Sequence, residues 1–127
     1  MAVPNDPRGM RSLRLVRRLV EGLGSKGVYD MKGEALNAAV ADALDFAVAN
    51  AYGGYKFPSP VREWPAFTAA AAALAFNVSS GCGRNAIRYS TERYDDLPAI
   101  EWLTPMLDGP GLLVDMLETA PGGPDGK

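Results

Sequence analysis

The feature that most constrains this chain is a four-residue repeat between Met31 and Tyr52. Leu36, Val40, Leu44 and Val48 recur every four residues, with Ala39, Ala43, Ala47 and Ala51 beside them. Side chains four apart share one face of an α-helix, so the repeat builds an apolar stripe that must pack against something. Glu34, Asp42 and Asp45 keep the opposite side wet, and Gly53-Gly54 stops the pattern. The spacing predicts a helix over about residues 31–52.

Two further helices follow from the same reasoning. Pro65 suits a helix start, and Phe67, Ala70, Ala71, Leu74 and Val78 form one stripe behind it. Ala69, Ala72, Ala73 and Phe76 cover much of the remaining surface, which predicts a central helix over 65–79 buried from more than one side. Upstream, Asp6-Pro7 reads as a cap and first helical position. Met10, Leu13, Val16, Leu19, Val20 and Leu23 then recur at helical spacing, and Gly22 and Gly24 are expected to end the helix. Arg11, Arg14 and Arg18 share one side of it, with Arg17 beside the apolar stripe.

The remaining segments are more mixed. Tyr55 to Pro65 is a loop with three prolines. Ser79-Ser80-Gly81-Cys82-Gly83 reads as a break, and Ile87, Tyr89 and Thr91 alternate, so an extended arm or loop is expected over residues 79–96. Leu97-Pro98 introduces a short helix carrying Ile100, Trp102, Leu103, Met106 and Leu107. Gly109-Pro110-Gly111 separates it from a last segment with Leu112, Leu113, Met116 and Leu117. The expected fold is all-α: a small bundle of four to five helices with that arm, one domain over 1–118, and a flexible Gly/Pro-rich tail over 119–127. No internal repeat is present.

Composition narrows the chemistry. A chain of 127 residues that is 47% hydrophobic can bury a core without staples, and its single cysteine forms no internal disulfide. With no histidine, a Ser-His-Asp triad, a Cys-His pair and a His-ligated metal are all excluded. No uninterrupted apolar run reads as a signal peptide or a membrane span, so no membrane partner is expected. The lone Cys82 fits a reducing, cytoplasmic setting. Without a secretion signal, the Asn77-Val78-Ser79 sequon is read as chance.

The formal net charge of -2 is unevenly placed. Residues 1–26 carry six basic side chains against Asp6 and Glu21, a local +4. Residues 27–91 balance at five against five, and residues 92–127 hold eight acids against Arg93 and Lys127, a local -6. A basic start and an acidic end can meet between copies in a head-to-tail ring, or within one chain. Nucleic-acid binding by the arginine helix is not favoured, because basic residues are not in excess and stacking aromatics are missing from the patch.

Five groupings of residues bear on function. Cys82 and Arg88 match the Cys-x5-Arg spacing of phosphatase loops, but a long helix precedes Cys82 where such loops need a strand. Glu92, Asp95, Asp96 and Glu101 cluster in sequence without a calcium-loop spacing, and Asp96 reads more simply as the cap of the next helix. Tyr52, Gly53, Gly54, Tyr55, Phe57 and Trp64 suit either an interface or a loop packed on its own core. Arg11, Arg14 and Arg18 suit an electrostatic contact. Tyr89, Trp102 and Met106 are expected in packing or at an interface. The sequence assigns no catalytic residue, cofactor or metal ligand.

In size and in its alanine-rich helices, with Pro65-Ala66-Phe67 through Phe76 as a Pro-led central helix and Ser79 to Asp96 as a polar extended stretch, the chain resembles one family. That family is the small helical head–tail connector (adaptor) proteins of tailed bacteriophages. The resemblance covers roughly residues 31–118 and lies in architecture and composition. It implies rings of identical subunits docked on a portal, a non-enzymatic role, and a virion location. The resulting expectation is a structural subunit of a homo-oligomeric assembly that contacts copies of itself and neighbouring assembly proteins. The alternatives are a small regulatory binding module whose basic helix meets nucleic acid or an acidic protein, and, more remotely, the Cys-x5-Arg phosphatase.

Overall fold

The four-residue repeat folds into α2 (Gly33–Tyr52), which buries Leu36, Val40, Leu44 and Val48 together with Ala39, Ala43, Ala47 and Ala51. The structure, a computed structural model, describes residues 7–126. Besides α2 these residues form α1 (Pro7–Ser25), α3 (Pro65–Val78), α4 (Gly81–Arg93), α5 (Leu97–Leu107) and α6 (Leu113–Thr119). Short 3-10 turns lie at Val28–Asp30 and Val61–Glu63, and the described residues contain no strand. The all-α class is as expected, with six α-helices in place of four to five. Asp6, expected to cap α1, lies outside the described residues.

α1 packs along α2 and also meets α4 and α5, while α3 closes the other side against α2, α4, α5 and α6. The apolar stripe of α1 differs from the expected one. Ser12, Leu15, Val16, Leu19, Val20 and Leu23 are buried, whereas Met10 and Leu13 face solvent. Ser12 can stand in a buried stripe because its hydroxyl donates to the Asp108 carboxylate at 2.7 Å. Gly22 and Gly24 do not end the helix. They let it approach its neighbours: a Cβ at Gly22 would touch Ala43, and one at Gly24 would crowd the Thr91 hydroxyl.

α3 also departs from expectation. It buries one stripe, Phe67, Ala70, Leu74, Ala75 and Val78, but leaves Ala69, Ala72 and Phe76 in solvent. Phe76 is 79% exposed. α3 is therefore a flanking helix with an apolar outer face rather than a central one.

The expected extended arm over 79–96 is instead α4, set at 90° to α3. Ser80 is the reason that the apparent breaker starts a helix: its side-chain oxygen accepts the Gly83 N–H at 3.0 Å, which satisfies a free helix-start donor. Gly83, Ile87 and Ser90 then fall on one buried face. The alternation of Ile87, Tyr89 and Thr91 is incidental to that helical spacing. Tyr94 closes α4 in the left-handed region at φ 55°.

Two details at the C-terminal end also differ. Asp95, not Asp96, accepts the Leu97 N–H at 3.2 Å, and the Asp96 carboxylate accepts the Ser90 hydroxyl. The Gly/Pro-rich end, expected to be free of the body, lies back on it. Lys56 N–H donates to the Gly122 carbonyl at 3.2 Å, and Asp125 N–H donates to the Glu118 carbonyl at 2.8 Å.

A close approach between helices falls at Gly83, where a Cβ would overlap the Asn77 carbonyl and the Trp102 ring. Gly83→Ala should cost ~1–3 kcal/mol, since the backbone cannot yield as a flexible side chain would. Gly81→Ala, which opens to free space, should be close to neutral. Chemical denaturation of both variants checks this, and equal stabilities would contradict the packing described.

Candidate functional site

The outer face of α1 has the same spacing as its buried face. Met10, Leu13, Arg14, Arg17, Arg18 and Glu21 are all exposed, and each lies two residues before a member of the buried stripe. A two-residue offset is about 200° around a helix, so the two stripes occupy opposite sides.

The arginines of α1 divide by what they meet. Arg11 turns towards the C-terminal end and holds Glu118 in a two-pronged ion pair, with Nε to Oε2 at 2.8 Å and Nη2 to Oε1 at 2.6 Å. The Glu118 side chain is 0% exposed and that of Arg11 is 16% exposed. Arg8 lies 3.4 Å from Asp115, with Asp108 at 4.0 Å. Arg18 donates to Glu21 and to Asn50, each at 3.1 Å. Arg14 and Arg17 make no ion pair or side-chain hydrogen bond among the described residues.

Electrostatics around Glu118 follow from this packing. Burial alone would push its carboxyl up, but the hydrogen bonds from Arg11 and Tyr52, with the charges of Arg11 and Arg8, together outweigh that and hold the pKa below the ordinary value. The Arg11 pKa is raised in turn by its hydrogen bond to Glu118. Beside them burial first, and then its hydrogen bond to the Glu118 carboxylate, raises the pKa of the Tyr52 hydroxyl. Arg11 also stands over the Tyr55 ring at 5.9 Å. This cluster joins the first helix to the last and is structural. Arg11, expected at an outside contact, is engaged within its own chain.

What remains open to solvent is a continuous strip between α1 and the α4–α5 link. Three shallow grooves run along it: Asp96 lines all three, while Glu21 joins the first to the second and Arg17 joins the first to the third. The strip carries Met10 (56% exposed), Leu13 (41%), Tyr94 (92%) and Leu97 (59%) around the unpaired Arg14 and Arg17. Asp95 lines it as an exposed acid, and Glu101, also exposed, follows Leu97 by four residues on α5. Of the arginines expected at a contact, Arg14 and Arg18 lie on this strip, Arg18 with its charge already matched by Glu21.

The other groupings resolve differently. Trp102 and Met106 are half-buried against the core, whereas Tyr89 is 45% exposed on α4. Cys82 and Arg88 stand on one continuous helix rather than around a loop. Arg88 pairs with Asp30 at 3.6 Å and lies over the Tyr29 ring. No three carboxylates or thiols among the described residues converge to hold a metal ion. The aromatic group packs on itself, with Phe57 against Trp64 edge-on at 5.3 Å and the Trp64 N–H on the Ser59 hydroxyl at 2.9 Å. No single helix among the described residues is long and apolar enough to cross a membrane.

Sequence reasoning passed over Arg17, Tyr94 and Leu97. Only the buried helical spacing that begins at Ser12, instead of Met10, would have placed Met10 and Leu13 outside and drawn attention to Arg17.

Removing either partner of the Arg11–Glu118 pair should cost about 3–5 kcal/mol, while Arg11→Leu with Glu118→Leu together should cost less than either alone. Because the folded Glu118 pKa is depressed, its contribution is complete above the unfolded value near pH ~4.3 and fades as pH falls through the folded one. The wild type should therefore lose more stability in acid than the double leucine variant. Denaturant titrations from neutral to acid pH check this, and parallel pH profiles would contradict it. Compared with known proteins, the chain matches no family model, no curated protein and no solved structure.

Proposed function

We propose that this protein is a structural subunit of a homo-oligomeric assembly. The observation that carries the reading is the uncovered strip of Met10, Leu13, Tyr94 and Leu97 around two arginines without ion partners. A contiguous exposed apolar patch is uncommon on a chain that works alone, and aromatic residues and arginine are the side chains enriched where proteins meet. Phe76 on α3 and Phe46 on α2, 79% and 61% exposed, add aromatic surface of the same kind.

A head–tail connector ring is the specific form that the resemblance in size and alanine-rich helices supports, although the extended stretch of that resemblance is helix α4 here; the virion is then its setting, and the cytoplasm otherwise. A ring contact between basic start and acidic end would have to do without Arg8 and Arg11, which meet Asp115 and Glu118 of their own chain. The second reading, a regulatory module binding nucleic acid or an acidic protein, draws on Arg14 and Arg17. Two free arginines make a small footprint for a polyanion, whose affinity grows with the number of phosphates neutralised.

Native mass spectrometry and light scattering of the purified chain over a wide concentration range should show species larger than 13.5 kDa. A strict monomer at every concentration would contradict the assembly reading, and salt-sensitive DNA binding by that monomer would support the regulatory one.

A further inference from the structure

Opposite charges lie side by side on the strip, and this adjacency bears on how copies meet. Arg14 and Arg17 occupy one bank, the outer face of α1. Asp95 occupies the other bank, at the start of α5, and Glu101 stands one turn beyond Leu97 on the same face of α5. Among the described residues none of these four side chains makes an ion pair, and Met10, Leu13 and Leu97 line the same grooves as Arg14, Arg17 and Asp95.

Resting on the assembly reading, we infer that this strip is the contact between two copies of the chain related by a two-fold axis. In a two-fold contact the same patch meets itself, so each residue pair occurs twice. A patch with one basic and one acidic bank beside an apolar seam is complementary to its own copy turned through 180°. Arg14 and Arg17 of one copy then face Asp95 and Glu101 of the other, twice over. Met10, Leu13 and Leu97 close the seam between them. A head-to-tail ring needs its two complementary surfaces on different sides of the subunit, whereas here both are on one side. Tyr94 fits the same assignment. Its left-handed backbone is unfavourable for a residue with a large side chain, and it holds the ring 92% exposed at the edge of the strip.

The test uses two charge-reversed full-length chains, Arg14→Glu/Arg17→Glu and Asp95→Lys/Glu101→Lys, with circular dichroism confirming that each is folded. Glu101→Lys alone serves if losing the Asp95 cap weakens α5. Analytical ultracentrifugation should show the wild type as a dimer of twice 13.5 kDa, and each variant alone should dimerise at least about tenfold more weakly. Mixing the two variants should restore a heterodimer, since opposite charges then face each other again. A wild-type assembly that Arg14→Glu/Arg17→Glu leaves intact, of whatever size, would overturn the two-fold strip while leaving the assembly reading in place. A weakened variant that the mixture does not rescue would overturn the pairing of these arginines with these acids. A wild type that stays monomeric would overturn both.

Discussion

The buried ion pair between Arg11 and Glu118 ties the first helix to the last, 107 residues along the chain, and the outer surface takes its form from that tie. A fully buried carboxylate is tolerable only where a cation meets it with good geometry, and two short hydrogen bonds supply that here. The pair fixes the rotation of α1. With Arg11 turned towards α6, Ser12, Leu15, Val16, Leu19, Val20 and Leu23 face the core, and Met10, Leu13, Arg14 and Arg17 face away. The strip proposed as the contact between copies is thus the reverse side of the same helix that the ion pair anchors.

Charge along the chain has two destinations. Part of the basic start is matched internally, by Asp115, Glu118 and Glu21. Of the rest, Lys26 is exposed just beyond the end of α1, and Arg14 and Arg17 stay in solvent on the strip that Asp95 also lines, none of these three having an ion partner among the described residues. Exposed pairs contribute little energy each, so in the proposed contact they would orient the two copies while the apolar seam residues supply the larger share of association. This division explains how a nearly neutral chain can carry a directional surface.

Much of the fold could be read from the sequence. The Leu36 to Val48 repeat, the Pro65 start and the all-α class needed only local periodicity. Other features depended on partners distant in the chain. Ser12 stands in the buried stripe of α1 because the distant Asp108 supplies its acceptor, which the local spacing of Met10 and Leu13 does not show. Residues 81–93 form a helix because Ser80 caps it and because Gly83 allows Trp102 to approach; neither condition is visible in the alternation of Ile87, Tyr89 and Thr91. α3 read as buried on several sides because its composition is apolar nearly all round, whereas only packing decides which alanines are covered. For the candidate site, Arg14 and Arg18 were legible as a basic side, but the fate of Arg11 and the exposure of Tyr94 and Leu97 were not.

The central claim is that one face of α1, with the link into α5, is where copies of this chain meet. The most direct measurement is a concentration series of two-dimensional amide NMR spectra of the wild-type protein. Shifts that move with concentration should be confined to residues 10–18 and 94–101, with the amides of α3 around Phe76 unchanged. Concentration-dependent shifts centred on α3, or a spectrum that does not change with concentration at all, would contradict the account.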